Sequence, residues 1–224
     1  MSVLRGTIAY VRDDTGRQGR DDFTLTHLPD ASWLVNARTT SADTGILREV
    51  IHLLDPGHRP VSSHIVQWRH GEPQGDGWLT ADERGVHGSV AMAGQGRLEQ
   101  HLRTPTWPAF IVPHAVVCDA FITATYDRDR GGRQPIVGGV RSSPRADGTT
   151  GPLGSIMDDL ALTLLDQETI DVPAGRFATD HYLVESDGGA VEHLWITPSE
   201  RLLVRLRSDR LATTYELDHL ESDA

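Results

Sequence analysis

A tyrosine and a histidine near the C-terminus are the residues whose types and spacing point most directly to chemistry. Tyr182-Leu183-Val184-Glu185 and Ala190-Val191-Glu192-His193 flank Ser186-Asp187-Gly188-Gly189. Asp-Gly between alternating runs signals a hairpin, because a two-residue type I′ turn needs φ > 0 at both central positions. With Asp187 and Gly188 in the turn, Ser186 faces Gly189, Val184 faces Val191, Tyr182 faces His193 and Asp180 faces Trp195. Side chains alternate across a strand, so these pairs share one side of the sheet. Cross-strand Cβ atoms lie about 4.5–5.5 Å apart, close enough for a phenol and an imidazole to act on one substrate. His193 would serve as general base, with an unperturbed pKa of about 6.5. Tyr182 would donate a hydrogen bond to a developing oxyanion. The plainer alternative is an ordinary aromatic cross-strand pair.

Other side chains would complete such a site. Trp195 and Trp68 are candidate stacking walls, and Arg205 and His64 are candidate substrate anchors. Ser62, His64, Val66, Trp68 and His70 share one face by alternation. The Pro198-Ser199-Glu200 turn allows two registers for Arg205, one beside His193 and one turned outward. His114 follows Pro113 and would line a cleft from a helix N-terminus or act as an ordinary cap.

The composition excludes several chemistries. All 21 basic residues are arginine. Without lysine there is no protein Schiff base, no pyridoxal-phosphate anchor and no P-loop lysine. The single cysteine, Cys118, rules out an intrachain disulfide and multi-cysteine metal sites. There are 11 histidines, yet no His-Glu-x-x-His motif, so neither a metal nor another cofactor is expected. A net charge of −11 repels phosphate backbones and argues against nucleic acid. No apolar run approaches the roughly 18 residues of a membrane span. The N-terminus enters an alternating pattern at once, with no secretory signal, and the cytoplasm is the expected location.

The elements that must position these side chains are strands. Leu4-Gly6-Ile8-Tyr10, Phe23-Leu25-His27, Trp33-Val35-Ala37 and Val50-His52-Leu54 alternate and are separated by turn formers. Similar runs continue to Leu102 and resume at Leu160. The reading is a mostly all-β single domain over residues 1–224, a curved antiparallel sheet forming a half-open barrel. One short helix is expected after Pro113, with Val117, Phe121 and Ala124 at helical spacing, plugging or covering an end of the barrel. Residues 127–154 are rich in turn formers and read as long surface loops, a candidate lid, with a brief strand at Gln134-Pro135-Ile136-Val137.

The run Glu168-Thr169-Ile170-Asp171-Val172-Pro173-Ala174-Gly175-Arg176-Phe177, with His193-Leu194-Trp195 and Arg201-Leu202-Leu203-Val204-Arg205, resembles a bacterial β-rich family of unknown function. Its members are often envelope-associated. The resemblance covers about the last 60 residues well and implies a half-opened barrel around an apolar cleft, but no settled activity. In its own terms the turn is structural, with proline and glycine shaping a tight hairpin over Phe177.

Two functions fit this reading. The first is a cofactor-independent enzyme, a lyase or isomerase, acting on a hydrophobic or aromatic small molecule by acid–base chemistry. The second is a non-catalytic binding protein for an apolar ligand. An exposed sheet edge would also suit an assembly partner such as a second copy of the chain.

Overall fold

The computed structural model describes every residue except Ala146, Asp187, Gly188, Gly189 and Ala224. Seventeen strands are assigned among these residues. The N-terminal eight are β1 (Ser2–Arg12), β2 (Gly16–His27), β3 (Trp33–Ser41), β4 (Ile46–Leu54), β5 (Pro60–Arg69), β6 (Glu72–Asp82), β7 (Gly85–Met92) and β8 (Gly96–Arg103). The central four are short: β9 (Phe110–Val112), β10 (Arg133–Ile136), β11 (Gly139–Arg141) and β12 (Ser155–Met157). The rest are β13 (Leu160–Val172), β14 (Gly175–Ser186), β15 (Ala190–Ile196), β16 (Leu203–Ser208) and β17 (Thr213–Asp223).

Fourteen strands form one sheet in the order β10-β13-β14-β15-β16-β17-β1-β2-β3-β4-β5-β6-β7-β8. Every neighbouring pair in it is antiparallel. The two ends, β10 and β8, do not pair with each other, so the curved sheet is a half-open barrel as expected. The strands form where the alternation predicts. In β3, Trp33, Val35, Ala37 and Thr39 are buried, while Asn36 and Arg38 are exposed. Proline and glycine shape the β13–β14 turn, where Val172 pairs with Gly175, and Phe177 packs against the core.

The expected helix exists, but as a 3-10 helix, Val116–Thr125. Its β-branched residues disfavour the α form, because their side chains crowd the preceding turn. It fills the concave side of the sheet. Val117 and Phe121 are fully buried in one cluster with Ile8, Phe23, Val35, Val50 and Ile65. The plug is anchored at its start by Asp21 of β2, whose Oδ2 accepts the Val117 amide at 3.3 Å. Asp21 Oδ1 also accepts from Tyr10 Oη at 2.5 Å and Thr39 Oγ1 at 2.6 Å.

Much of the segment 127–154 departs from the surface-loop reading. Arg133–Ile136 is a strand, β10, paired with β13 at the sheet edge, close to the expected brief strand. Gly139–Arg141 joins β9 and β12 in a second, three-stranded sheet. Val140, Ser142 and Ser143 are buried. Pro152 seats against Gly75 and Gly77 of β6, where a Cβ would lie only 2.6 and 3.0 Å from its ring. Much of the segment from Gly139 on is thus packed into the barrel, where its turn formers serve tight bends, while residues 127–130 are exposed as a surface loop.

Candidate functional site

The β14–β15 hairpin does not bring Tyr182 and His193 together. The turn at Asp187-Gly188 lies outside the described residues, but the ladder on either side is clear. Ser186 pairs with Ala190, Glu185 with Val191, Leu183 with His193 and Tyr182 with Leu194. Three residues therefore separate the last pair, not two. One added residue in the loop moves each side chain's partner by one position and sends Tyr182 and His193 to opposite faces.

Tyr182 points inward and is 2% exposed. It meets Tyr126 edge-on at 5.6 Å, and its hydroxyl lies 3.4 Å from Arg128, which is itself paired with Asp180. Burial raises its pKa. It does not line the main cavity.

His193 lies on the convex face within a different cluster. Its Nδ1 is 2.9 Å from Nε2 of His181. Trp195 stacks on His181 at 4.2 Å and donates its indole N–H to Glu168 at 2.7 Å. Arg205 shares the face of His193 and Trp195, as in the first of the two registers, but that face is the outer one and Val204 turns inward. Arg205 pairs with Trp195 across the ladder, sits 5.8 Å over its ring and binds Glu216 at 2.8 Å. Burial, and then the field of His193, lowers the His181 pKa. These side chains satisfy one another on a sheet face, and none of them lines the main interior cavity.

His64 and Trp68 also face outward, because β5 turns Ser63, Ile65 and Gln67 into the core. His64 stacks on Trp78 at 4.2 Å and bonds Asp76 at 2.8 Å. As anchor and stacking wall for an interior ligand, both were misassigned. The aromatic face of this strand covers the outside of the sheet, and the inward face is the smaller, mixed one.

The interior holds a cavity of about 410 Å³ between the concave face and the plug. Val116, Asp119 and Ile122 of the 3-10 helix form one side, and Val184, Glu192 and Leu206 of β14–β16 form another. Arg48 of β4, His114 and Arg141 of β11 line it as well. Tyr10 and Tyr215 meet edge-on at 4.7 Å along the wall.

The electrostatics of this cavity are unusual. Asp119 Oδ1 is buried with no hydrogen-bond partner among the described residues. Burial, then the fields of Glu192 and Asp21, push its pKa well up. Burial also raises Glu192 and Tyr215. Arg48 is 3% exposed and bonds Gln67 Oε1 twice at 3.0 Å, the His114 carbonyl at 2.5 Å and the Gly148 carbonyl at 2.8 Å. Burial lowers its pKa to about 10. His114, at φ 58°, turns its carbonyl to Arg48 and its Nδ1 to Ser142 at 3.1 Å. Burial, and then Arg48 and Arg141, lower its pKa to about 3, so the ring is neutral at neutral pH. Of the residues singled out from sequence as cleft candidates, His114 and Val184 line this cavity.

Sequence reasoning passed over Arg48, Asp119, Arg141 and Glu192. One signal for Arg48 was available. The alternation Val50-His52-Leu54 extends back through Arg48 to Ile46, which sets a guanidinium on the buried face.

No known sequence family matches the chain, and no curated protein matches it significantly. Solved structures do resemble it. A β-barrel-like protein of the domain of unknown function DUF1849 from Brucella abortus has a TM-score of 0.59 and 10% identity, covering 100% of this chain and 99% of that one. A DUF1089 family protein from Pseudomonas aeruginosa has a TM-score of 0.47 and 18% identity, covering 85% and 90%. The first likeness supports the fold, a barrel-like antiparallel sheet. No helix among the described residues is long and apolar enough to cross a membrane.

Proposed function

We propose that the chain binds a small, largely apolar molecule in the cavity between the concave sheet and the 3-10 plug. One observation carries this reading: a cavity of about 410 Å³ whose wall includes a buried, unpartnered carboxyl oxygen on Asp119. Small-molecule sites typically enclose about 300–1,000 Å³ of mostly apolar wall with a few convergent polar groups. A buried polar atom without a partner is costly, and a bound hydrogen-bond donor would remove that cost. Ile122, Val184 and Leu206 supply the apolar wall.

The test uses the neutral fluorescent probe 1-aminoanthracene. It should bind one equivalent of protein with enhanced emission. Ile156→Trp, which adds bulk at a cavity residue that is only partly buried, should weaken binding at least about tenfold, a loss of about 1.4 kcal/mol. Binding that ignores the new indole would place the probe elsewhere and end the reading.

The same probe checks the position of the histidine. His193→Ala should leave the dissociation constant within about twofold, since single changes on separate surfaces act independently. A large loss would put the convex cluster back at the site.

A second reading, an acid–base lyase or isomerase, has a specific support. Asp119 and Glu192 both retain protons above the ordinary carboxylic range and line the same cavity. Groups of that kind are matched to proton transfer near neutral pH. A ligand recovered chemically unchanged after prolonged incubation, judged by mass spectrometry, would remove this reading and leave the first.

A further inference from the structure

The arginines that line the cavity differ in how they are paired. All four hydrogen bonds of Arg48 go to neutral oxygens, one side-chain amide and two backbone carbonyls. Its donors are satisfied, but no carboxylate pairs with it among the described residues. Arg141 lines the same cavity, its guanidinium has no hydrogen bond or ion pair among the described residues, and its Nε is fully buried. His114 brings the two arginines to one part of the wall, its carbonyl accepting from Arg48 at 2.5 Å and its Nδ1 lying 3.1 Å from Ser142, the residue after Arg141. The His114 ring is neutral at neutral pH and adds no charge of its own.

Asp21 and Asp147 act on Arg48 through space, but no lining acid forms an ion pair with Arg48 or Arg141 among the described residues. Asp147 uses one carboxylate oxygen for the Thr149 amide and hydroxyl, at 3.0 and 2.7 Å. Arg12, at another part of the wall, already holds Asp14 and Asp43. Arg210 acts on Glu192 instead. An open guanidinium fork matches the two oxygens of a carboxylate and binds them with parallel, charge-assisted hydrogen bonds.

From this geometry we infer that the ligand is an organic monocarboxylate, its carboxylate on Arg141 beside Arg48 and its apolar body against Leu160, Val184 and Leu206. The inference rests on the binding function proposed above and names its ligand class. A single carboxylate suits the fork of Arg141, whose Nε is buried without a hydrogen-bond partner among the described residues. A phosphate would bring a second negative charge toward Asp147 and Asp158, which line the same cavity.

Displacement of 1-aminoanthracene tests this with octanoate, octan-1-ol and octyl phosphate, compounds that share a tail and differ in the head. Octanoate should displace the probe at concentrations about tenfold or more below octan-1-ol, the ratio that one charge-assisted pair provides. Arg141→Met should bring the two to within about twofold while octan-1-ol is unchanged, and Arg141→Lys should keep part of the preference, because it retains charge but loses the fork. Equal displacement by octanoate and octan-1-ol in the unmodified protein would overturn the inference and leave the cavity reading intact. So would stronger displacement by octyl phosphate. Failure of the probe to bind at all would sink the cavity reading and this inference with it. The comparison within the unmodified protein decides the matter even if the methionine variant fails to fold.

Discussion

Arg48→Met should lower the stability of the fold by about 3–5 kcal/mol, the range for removing one partner from a buried charged network. The reason lies in what the guanidinium holds. It reaches from β4 to Gln67 on β5, to the carbonyl of His114 before the plug, and to the carbonyl of Gly148 in the segment that packs against the barrel. Methionine fills part of the volume but donates nothing. The carbonyls of His114 and Gly148 and the Gln67 amide oxygen would be left buried, each unsatisfied group costing about 1–3 kcal/mol before relaxation. Lysine would recover less than half, because its compact ammonium cannot span acceptors set for a planar fork. Gly148 is fitted to this arrangement: its φ is +71°, and a Cβ there would fall 2.4 Å from the Arg48 Nη2. Urea denaturation with an unchanged m-value and a lower midpoint is the expected result. A loss under about 1 kcal/mol would mean that Arg48 fills space rather than ties three segments together.

Asp119→Asn should stabilise the protein, and the gain should grow with pH. In the folded chain burial, Glu192 and Asp21 hold the carboxyl well above its ordinary value of 3.8. In the unfolded chain it ionises normally. Between those two values the folded state holds a proton that the unfolded state has released. Stability therefore falls as pH rises through that window, and the full penalty is present above it. Asparagine has no proton to lose and keeps a similar shape. The difference between variant and parent should be flat below about pH 3.8 and then rise in favour of the variant. By pH 8 it should reach about 1–3 kcal/mol, the usual cost of a buried polar group without a partner. Comparing the two proteins cancels most of the contributions from Glu192, Asp21 and the neutral buried histidines. Thermal melts at several pH values measure it. A difference that does not change with pH would show that Asp119 ionises freely and that the cavity floor is well hydrated.

Much of the fold was legible because the strands alternate cleanly, and alternation reports burial directly. The existence of each strand did not depend on knowing its partners. The site was harder because each step toward it depended on parity. Asp187-Gly188 is a good two-residue turn, but Gly189 makes a three-residue connection equally accessible, and the ladder uses that one. That single residue separates Tyr182 from His193. In β5 both faces are plausible cores, and the aromatic one, with His64 and Trp68, looked the better wall. The 3-10 plug decides otherwise by packing against Ile65. Neither decision is local to the strand concerned. The net charge of −11 is an average over the surface and does not report two arginines placed inside.

The sheet stops short of closing on itself, with β10 and β8 left as separate rims. In a closed barrel, strand number and shear fix the girth, so the interior can change size only by adding or removing a whole hairpin. An unclosed wrap has no such lock. Its bore is set by whatever it is wound around, here a ten-residue helical core that touches the wall through side chains alone at most positions. Lengthening or trimming those few side chains would retune the hollow by degrees while leaving all fourteen strands in register. The size of the interior can thus change without a change in the strand order.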